Sequence, residues 1–210
     1  LFSNGTLLNR RIAGELREWP PRRVEITLYG ATQATYERVT GVPGSFARCM
    51  AGIELLLEHE IPVQLKTVVM TLNRHELASM QSLAANLGLE FRYDAVLNVC
   101  LDGSGAPLQY RLPPEEVVAL DVADEERLSQ WRAFFDKYSE VKRDPEALFA
   151  CGAGLSSFHI DPVGQMSICM MVRKYQYDLR RGSFRDGWRG HARDVRSLTV
   201  LSDNGCTRCR

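Results

Sequence analysis

The chain has 210 residues, 45% of them apolar, and equal numbers of basic and acidic side chains, 26 of each, for a formal net charge of zero. That balance gives no electrostatic basis for binding nucleic acid or an anionic membrane surface, and no apolar run reaches the roughly 18 residues a membrane span needs. Six cysteines, including Cys151, Cys169, Cys206 and Cys209 late in the chain, read as metal ligands in a reducing cytoplasm more than as a disulfide scaffold.

The N-terminal part alternates helix and strand. Apolar residues at helical spacing from Leu7 to Leu16 predict a helix that Pro20-Pro21 ends. Val24-Glu25-Ile26-Thr27-Leu28 is a short β-type run closed by Gly30. After the loop Gly41-Val42-Pro43-Gly44, Ser45 is the expected N-cap of a helix that buries Phe46, Cys49, Ile53, Leu56 and Leu57 and stops at Pro62. Val63 to Met70 reads as a strand covered on both faces. Asn73 and Glu76 have capping-box spacing for a helix that ends near Gly88, and Leu89 to Ala95 is the next strand. Strand and helix alternating at this rhythm predict an α/β fold with a parallel sheet and right-handed crossovers.

Beyond Asn98 the character changes. A loop from Val99 to Arg111 precedes a charged helical stretch from Pro113 to about Tyr138, with a break near Asp121. Phe158-His159-Ile160 and Met166-Ser167-Ile168 flank Asp161-Pro162-Val163-Gly164, a turn signature that predicts a β-hairpin with Cys151 before its first strand and Cys169 at the end of its second. The sequence closes on Cys206-Thr-Arg-Cys209, and a CxxC turn converges two thiolates on one metal ion or cluster edge. With a start at Leu1-Phe2-Ser3-Asn4-Gly5, lacking an initiator Met, and an end one residue after a CxxC pair, the chain reads as the middle of a longer protein.

These residues, in this order, resemble the radical S-adenosylmethionine (radical SAM) enzymes that carry a SPASM-type auxiliary iron–sulfur region. Ser3-Asn4-Gly5 resembles the Thr-Asn-Gly that ends a strand of that barrel, Val24 to Gly30 the following strand, Gly44-Ser45-Phe46 the start of the next helix, and Leu65 to Val69 the strand after it. Cys151, Gly164 and Cys169, the Asp161-Pro162-x-Gly164 turn, Gly182-Ser183-Phe184 before Trp188, and Cys206-x-x-Cys209 resemble the auxiliary region. The resemblance covers nearly the whole chain.

It implies later strands and helices of a partial (β/α)6 TIM-like barrel over 1–97, a linking loop and helices over 98–150, and a small cysteine-containing β-hairpin with a helical SPASM-type region over 151–210. It also implies an enzyme that makes a 5′-deoxyadenosyl radical from S-adenosylmethionine to modify a peptide or protein. [4Fe-4S] clusters would be its metal cofactors, and flavodoxin or ferredoxin its reductant. Cys151 and Cys169 would ligate one auxiliary cluster and Cys206 and Cys209 another, while Asn4, Thr27 and Lys66 would face the cosubstrate. Thr27 stands where the family has Ser, and Thr40-Gly41 stands where it often has Arg-Gly, so Arg38 is one candidate to take over the carboxylate contact. The family's CxxxCxxC is not in this sequence, so the chain is expected to be inactive by itself, and an open barrel edge with half the auxiliary cluster ligands missing is expected to leave it poorly stable.

Plainer readings stand beside these. Four thiolates also suit a structural zinc ion, which would make the chain a non-catalytic α/β binding module with a four-cysteine zinc tail. A relative that kept the auxiliary fold but lost the radical cluster is a third reading. Cys49 sits on an apolar helix face as simple core, Cys100 reads as an unpaired structural thiol, and Thr is a favoured strand residue wherever it falls. His59 suits the negative end of a helix dipole, His75 a solvated first turn, and His159 a packing role.

Overall fold

The computed structural model describes residues 1–140 and 146–200. The chain divides into two compact units, Leu1–Leu128 and Ser129–Arg210.

In the first unit β1 (Phe2–Ser3), β2 (Val24–Thr27), β3 (Val63–Val68) and β4 (Glu90–Asp94) form one parallel sheet in that order. The crossovers hold α1 (Arg10–Glu18), α2 (Gln33–Thr40), α3 (Ser45–Glu58) and α4 (Leu77–Asn86), and α5 (Pro114–Ala123) follows the sheet. Strand alternation splits the sheet into two unlike faces. Val24, Ile26, Leu28, Leu65 and Val69 lie in a core with Ala13, Cys49, Ile53, Leu56, Met80 and Ala84 from the helices. The residues between them are polar: Glu25 pairs in register with Gln64 and Gln64 with Glu90, while Thr27 pairs with Lys66 and Lys66 with Arg92. Gln64 and Lys66 make one face of β3 polar, so its near-continuous apolar run does not give two apolar faces, although Gln64 is itself buried.

Several local expectations also change. Helix α1 begins only after Asn9, whose side chain accepts from the Ile12 amide. The sequence reading passed over α2, which Thr32 caps through its hydroxyl and Gly41 closes in the left-handed conformation. Ser45 is the first residue of α3 and not its cap; Gly44 takes that place at φ 72°. Asn73 and Glu76 make no capping box, since no side chain bonds across the start of α4 and both residues are engaged elsewhere. The break between α5 and α6 (Glu125–Tyr138) falls at Asp124, three residues beyond the expected Asp121.

In the second unit β5 (His159–Ile160), β6 (Gln165–Ser167) and β7 (Tyr177–Asp178) form an antiparallel sheet. The turn between β5 and β6 is closed by Gly164 N–H donating to the Asp161 carbonyl at 3.0 Å, and Asp161 Oδ1 accepts from the Val163 and Gln165 amides. The third strand, β7, is too short for periodicity to reveal. A helix start α7 (Phe184–Asp186), a π-helical turn (Gly187–His191) and α8 (Ala192–Arg196) follow, and Ala153, Ile168, Ala192 and Val195 make the core of this unit.

Candidate functional site

A cavity of about 700 Å³ opens at the carboxyl ends of the parallel strands. Each strand exit contributes to its wall: Asn4 and Thr6 follow β1, Tyr29 follows β2, Met70 and Leu72 follow β3, and Leu97 follows β4. Tyr36 and Thr40 of α2, Ser45 and Arg48 of α3, and Gln109 and Tyr110 complete the polar part. Open α/β sheets bind ligands in such crevices because the loops there are free to carry side chains while the sheet stays rigid.

Two hydroxyls tie the wall together, with Thr40 Oγ1 and Ser45 Oγ 2.8 Å apart at the junction of α2 and α3. Among the described residues Arg48, one turn further along α3, is the only charged side chain on the wall, and it donates to the Pro43 carbonyl at 3.4 Å. Arg38 is not among the lining residues. Burial pushes the Tyr29 phenol above its ordinary value, and burial together with the Cys49 thiol beside it pushes Tyr36 further, so both stay neutral.

Asn4, Thr27 and Lys66 fall on neighbouring strands of the polar face. Ser3 pairs with Ile26 and Thr27 with Lys66, so Asn4 continues the row beside Thr27. Asn4 lines the cavity, and its Oδ1 accepts from the Thr6 amide and hydroxyl. Thr27 and Lys66 do not line it. Lys66 Nζ is drawn instead toward the strands' amino ends, 3.7 Å from Glu25 and 3.8 Å from the centroid of the Phe2 ring. Burial lowers the Lys66 pKa, helped by Arg92 and opposed by Glu25.

Glu25 centres a charge cluster the sequence reading did not isolate. Its carboxylate accepts two hydrogen bonds from Arg92, at 2.5 and 3.2 Å, and Arg23 stands 3.6 Å away. The Arg92 hydrogen bond holds its carboxyl below the ordinary value of 4.5 against the opposing effect of burial.

In the second unit Cys151 is exposed and Cys169 half-buried. Arg196 Nη1 donates to the Cys151 carbonyl at 2.6 Å, and Cys169 Sγ accepts from the Met171 amide at 3.5 Å. Among the described residues no three His, Cys, Asp or Glu side chains converge as a metal site, and two thiols do not complete a four-ligand one. Cys206 and Cys209 lie outside the described residues. Cys49 is fully buried core, as expected, while Cys100 sits exposed in the loop after β4. His59 Nδ1 lies 2.9 Å from the Leu55 carbonyl at the end of α3, His75 is exposed, and His159 is half-buried on β5. Among the described residues no helix is long and apolar enough to cross a membrane.

The fold defines an α/β protein with a cavity at the carboxyl end of a parallel sheet. No family model matches the chain. It is 32% identical over 142 residues to the AdoMet-dependent heme synthase of Methanosarcina barkeri (strain Fusaro / DSM 804), an alignment covering 68% of this chain and 37% of that one. It is also 32% identical over 176 residues to the mycofactocin maturase MftC of Mycobacterium ulcerans (strain Agy99), covering 80% of this chain and 46% of that one. The chain thus spans less than half the length of these curated relatives. Its fold matches that of native anSMEcpe with bound AdoMet with a TM-score of 0.66 and 14% identity, over 100% of this chain and 62% of that one. The chain belongs to the radical SAM family.

Proposed function

We propose that this chain supplies a wall of the S-adenosylmethionine site in a radical enzyme, together with the front of a SPASM-type auxiliary iron–sulfur region. The observation that carries the reading is the cavity at the strand ends, with Asn4, Tyr29, Ser45 and Arg48 on its wall. S-adenosylmethionine presents an anionic carboxylate, and Arg48 is the one cation on that wall among the described residues. In this reading Arg48 does from α3 what the family's Arg does from the position of Thr40. Asn4 would hold part of the rest of the cosubstrate, while Thr27 and Lys66, off the cavity wall, would keep the polar sheet face hydrophilic and, through Glu25, charged. The four strands would be the later part of a partial (β/α)6 barrel whose polar sheet face lines the lumen.

Cys151 and Cys169 would ligate one auxiliary [4Fe-4S] cluster, and Cys206 and Cys209 a second, each completed by ligands outside the described residues. The radical-generating cluster, whose CxxxCxxC ligands are not in this sequence, would reduce S-adenosylmethionine to the hydrogen-abstracting radical, with flavodoxin or ferredoxin as reductant in the cytoplasm. The residues described here bind, orient and exclude water. A peptide or protein substrate is supported by the maturase among the relatives and by similarity to anSMEcpe bound to a peptide, at a TM-score of 0.60. The 32% identity to a heme synthase favours a second reading, in which the same cavity serves heme synthesis.

Anaerobic reconstitution of the full-length protein with iron and sulfide tests the proposal. Brown protein with acid-labile sulfide that cleaves S-adenosylmethionine to 5′-deoxyadenosine supports it. Colourless protein holding zinc and no sulfide contradicts it and favours the zinc-tailed binding module. Which added substrate raises the cleavage rate, a peptide or a heme precursor, separates the two substrate classes.

A further inference from the structure

We infer that Asn73 and Glu76 are positioning residues that clamp the loop leaving β2 to the loop leaving β3 and so set the shape of the cofactor cavity; this rests on the S-adenosylmethionine reading above.

Their spacing reads as a helix cap, but both side chains turn away from α4. Glu76 Oε2 accepts from the Ala31 amide at 2.7 Å and the Thr32 amide at 3.0 Å. Its Oε1 accepts from the Thr32 hydroxyl at 2.7 Å and the Thr35 hydroxyl at 2.5 Å. All four donors belong to the start of α2, far from Glu76 in sequence, so a carboxylate from one strand exit closes the helix that follows another. Asn73, with no exposed surface, works in the other direction. Its Oδ1 accepts from the Met70 amide at 2.9 Å, and its Nδ2 donates to the carbonyls of Tyr29 and Val68, both at 3.1 Å.

The groups held are those that shape the cavity. Tyr29 and Met70 are bonded directly by Asn73, Tyr36 follows Thr35 in α2, and Leu72 precedes Asn73; all four line the wall. The loop has little slack, since a β-carbon on Gly30 would stand 2.7 Å from the Tyr36 amide nitrogen. An acceptor-only group suits Glu76's place, because four donors and the positive end of α2 meet there. The other titratable group facing it is His75, whose Nε2 lies 3.8 Å from Glu76 Oε1 and 3.4 Å from Thr35 Oγ1. Burial raises the Glu76 pKa, yet the hydrogen bonds from Thr32, Thr35 and the loop amides outweigh it and leave the carboxyl below the usual 4.5, so the clamp stays ionised at neutral pH.

The test is titration of S-adenosylmethionine into the full-length wild-type protein and into its Glu76→Gln, Thr35→Val and, as a control, Arg127→Met variants. Arg127 pairs with Asp121 at 2.5 Å and does not line the cavity, so its loss lowers stability without touching the clamp. We expect Glu76→Gln to weaken binding about tenfold, equivalent to one charge-assisted hydrogen bond, and the milder Thr35→Val to weaken it less. Arg127→Met should bind as wild type whatever its melting temperature. Faster amide exchange at Ala31 and Thr32 should accompany the loss in Glu76→Gln. If affinity follows melting temperature alike in all three variants, or Glu76→Gln binds as wild type, the clamp has no role in the cavity while the binding-site reading stands. If the wild type itself fails to bind, that reading falls and takes the clamp's role with it.

Discussion

The carbonyl oxygen of Gly5 lies 2.2 Å from where a β-carbon on Gly52 would stand. The turn after β1, held at φ 75° at Gly5, is thus pressed onto α3 with backbone against backbone. That turn carries Asn4 and Thr6 to the cavity wall. Gly52→Ala should force the two apart and destabilise the fold by about 1–3 kcal/mol, as overpacking does, measured by urea unfolding. A variant as stable as wild type would show that the contact relaxes freely.

Glu25 and Arg92 give a pH dependence with a definite sign. The carboxyl of Glu25 is held below 4.5 in the folded state, chiefly by its hydrogen bond to Arg92. The stability this contributes is fully present above the unfolded value and is lost as pH falls through the lowered folded value. Arg92→Met should therefore cost about 0.5–1 kcal/mol at neutral pH, solvent screening of the half-exposed guanidinium keeping the figure small, and flatten the acid limb of the stability curve. Urea midpoints measured from neutral pH down to about pH 3 check both effects.

Arg48 is exposed on its helix, and its hydrogen bond runs to the Pro43 carbonyl, so removing it should leave folding intact. Arg48→Met should weaken S-adenosylmethionine binding about tenfold or more, the loss of a charge-assisted contact to a carboxylate. Arg38→Met, off the cavity wall, should change binding little. The reverse order of effects would move the carboxylate contact to Arg38.

Cys151 and Cys169 should each matter to iron content. Ser at either position should lower iron and sulfide per chain in the reconstituted full-length protein, whereas Cys100→Ser should not. Equal iron in all three variants would remove Cys151 and Cys169 from the ligand set.

Much of the parallel sheet was legible because its strands are apolar runs bounded by Pro and Gly, and Ile26, Leu65 and Val69 announce the core face directly. Asn4 came only from the resemblance of Ser3-Asn4-Gly5 to the family, and its place on the cavity wall depends on the turn after β1. The side-chain direction of Lys66 was not, since it depends on Glu25 and Phe2 drawing the ammonium toward the strands' amino ends. Helix α2 was missed because Gln33–Thr40 has few apolar residues and is started by a carboxylate from a distant loop. The same carboxylate explains why Asn73 and Glu76 misled: local spacing cannot show that tertiary donors take both side chains. Arg48 gave no signal because a charged residue on an exposed helix position is ordinary until the loops are seen around it.

The most direct test of the account is amide hydrogen exchange on the full-length protein with and without S-adenosylmethionine, read over the segments of this chain. Slower exchange on binding should gather in the cavity segments, residues 4–6, 29–36, 42–48, 70–72 and 106–110, and leave the outer surfaces of α1 and α4 unchanged. Unchanged exchange at saturating ligand, or protection confined to other segments, would contradict the assignment of this cavity as the cosubstrate site.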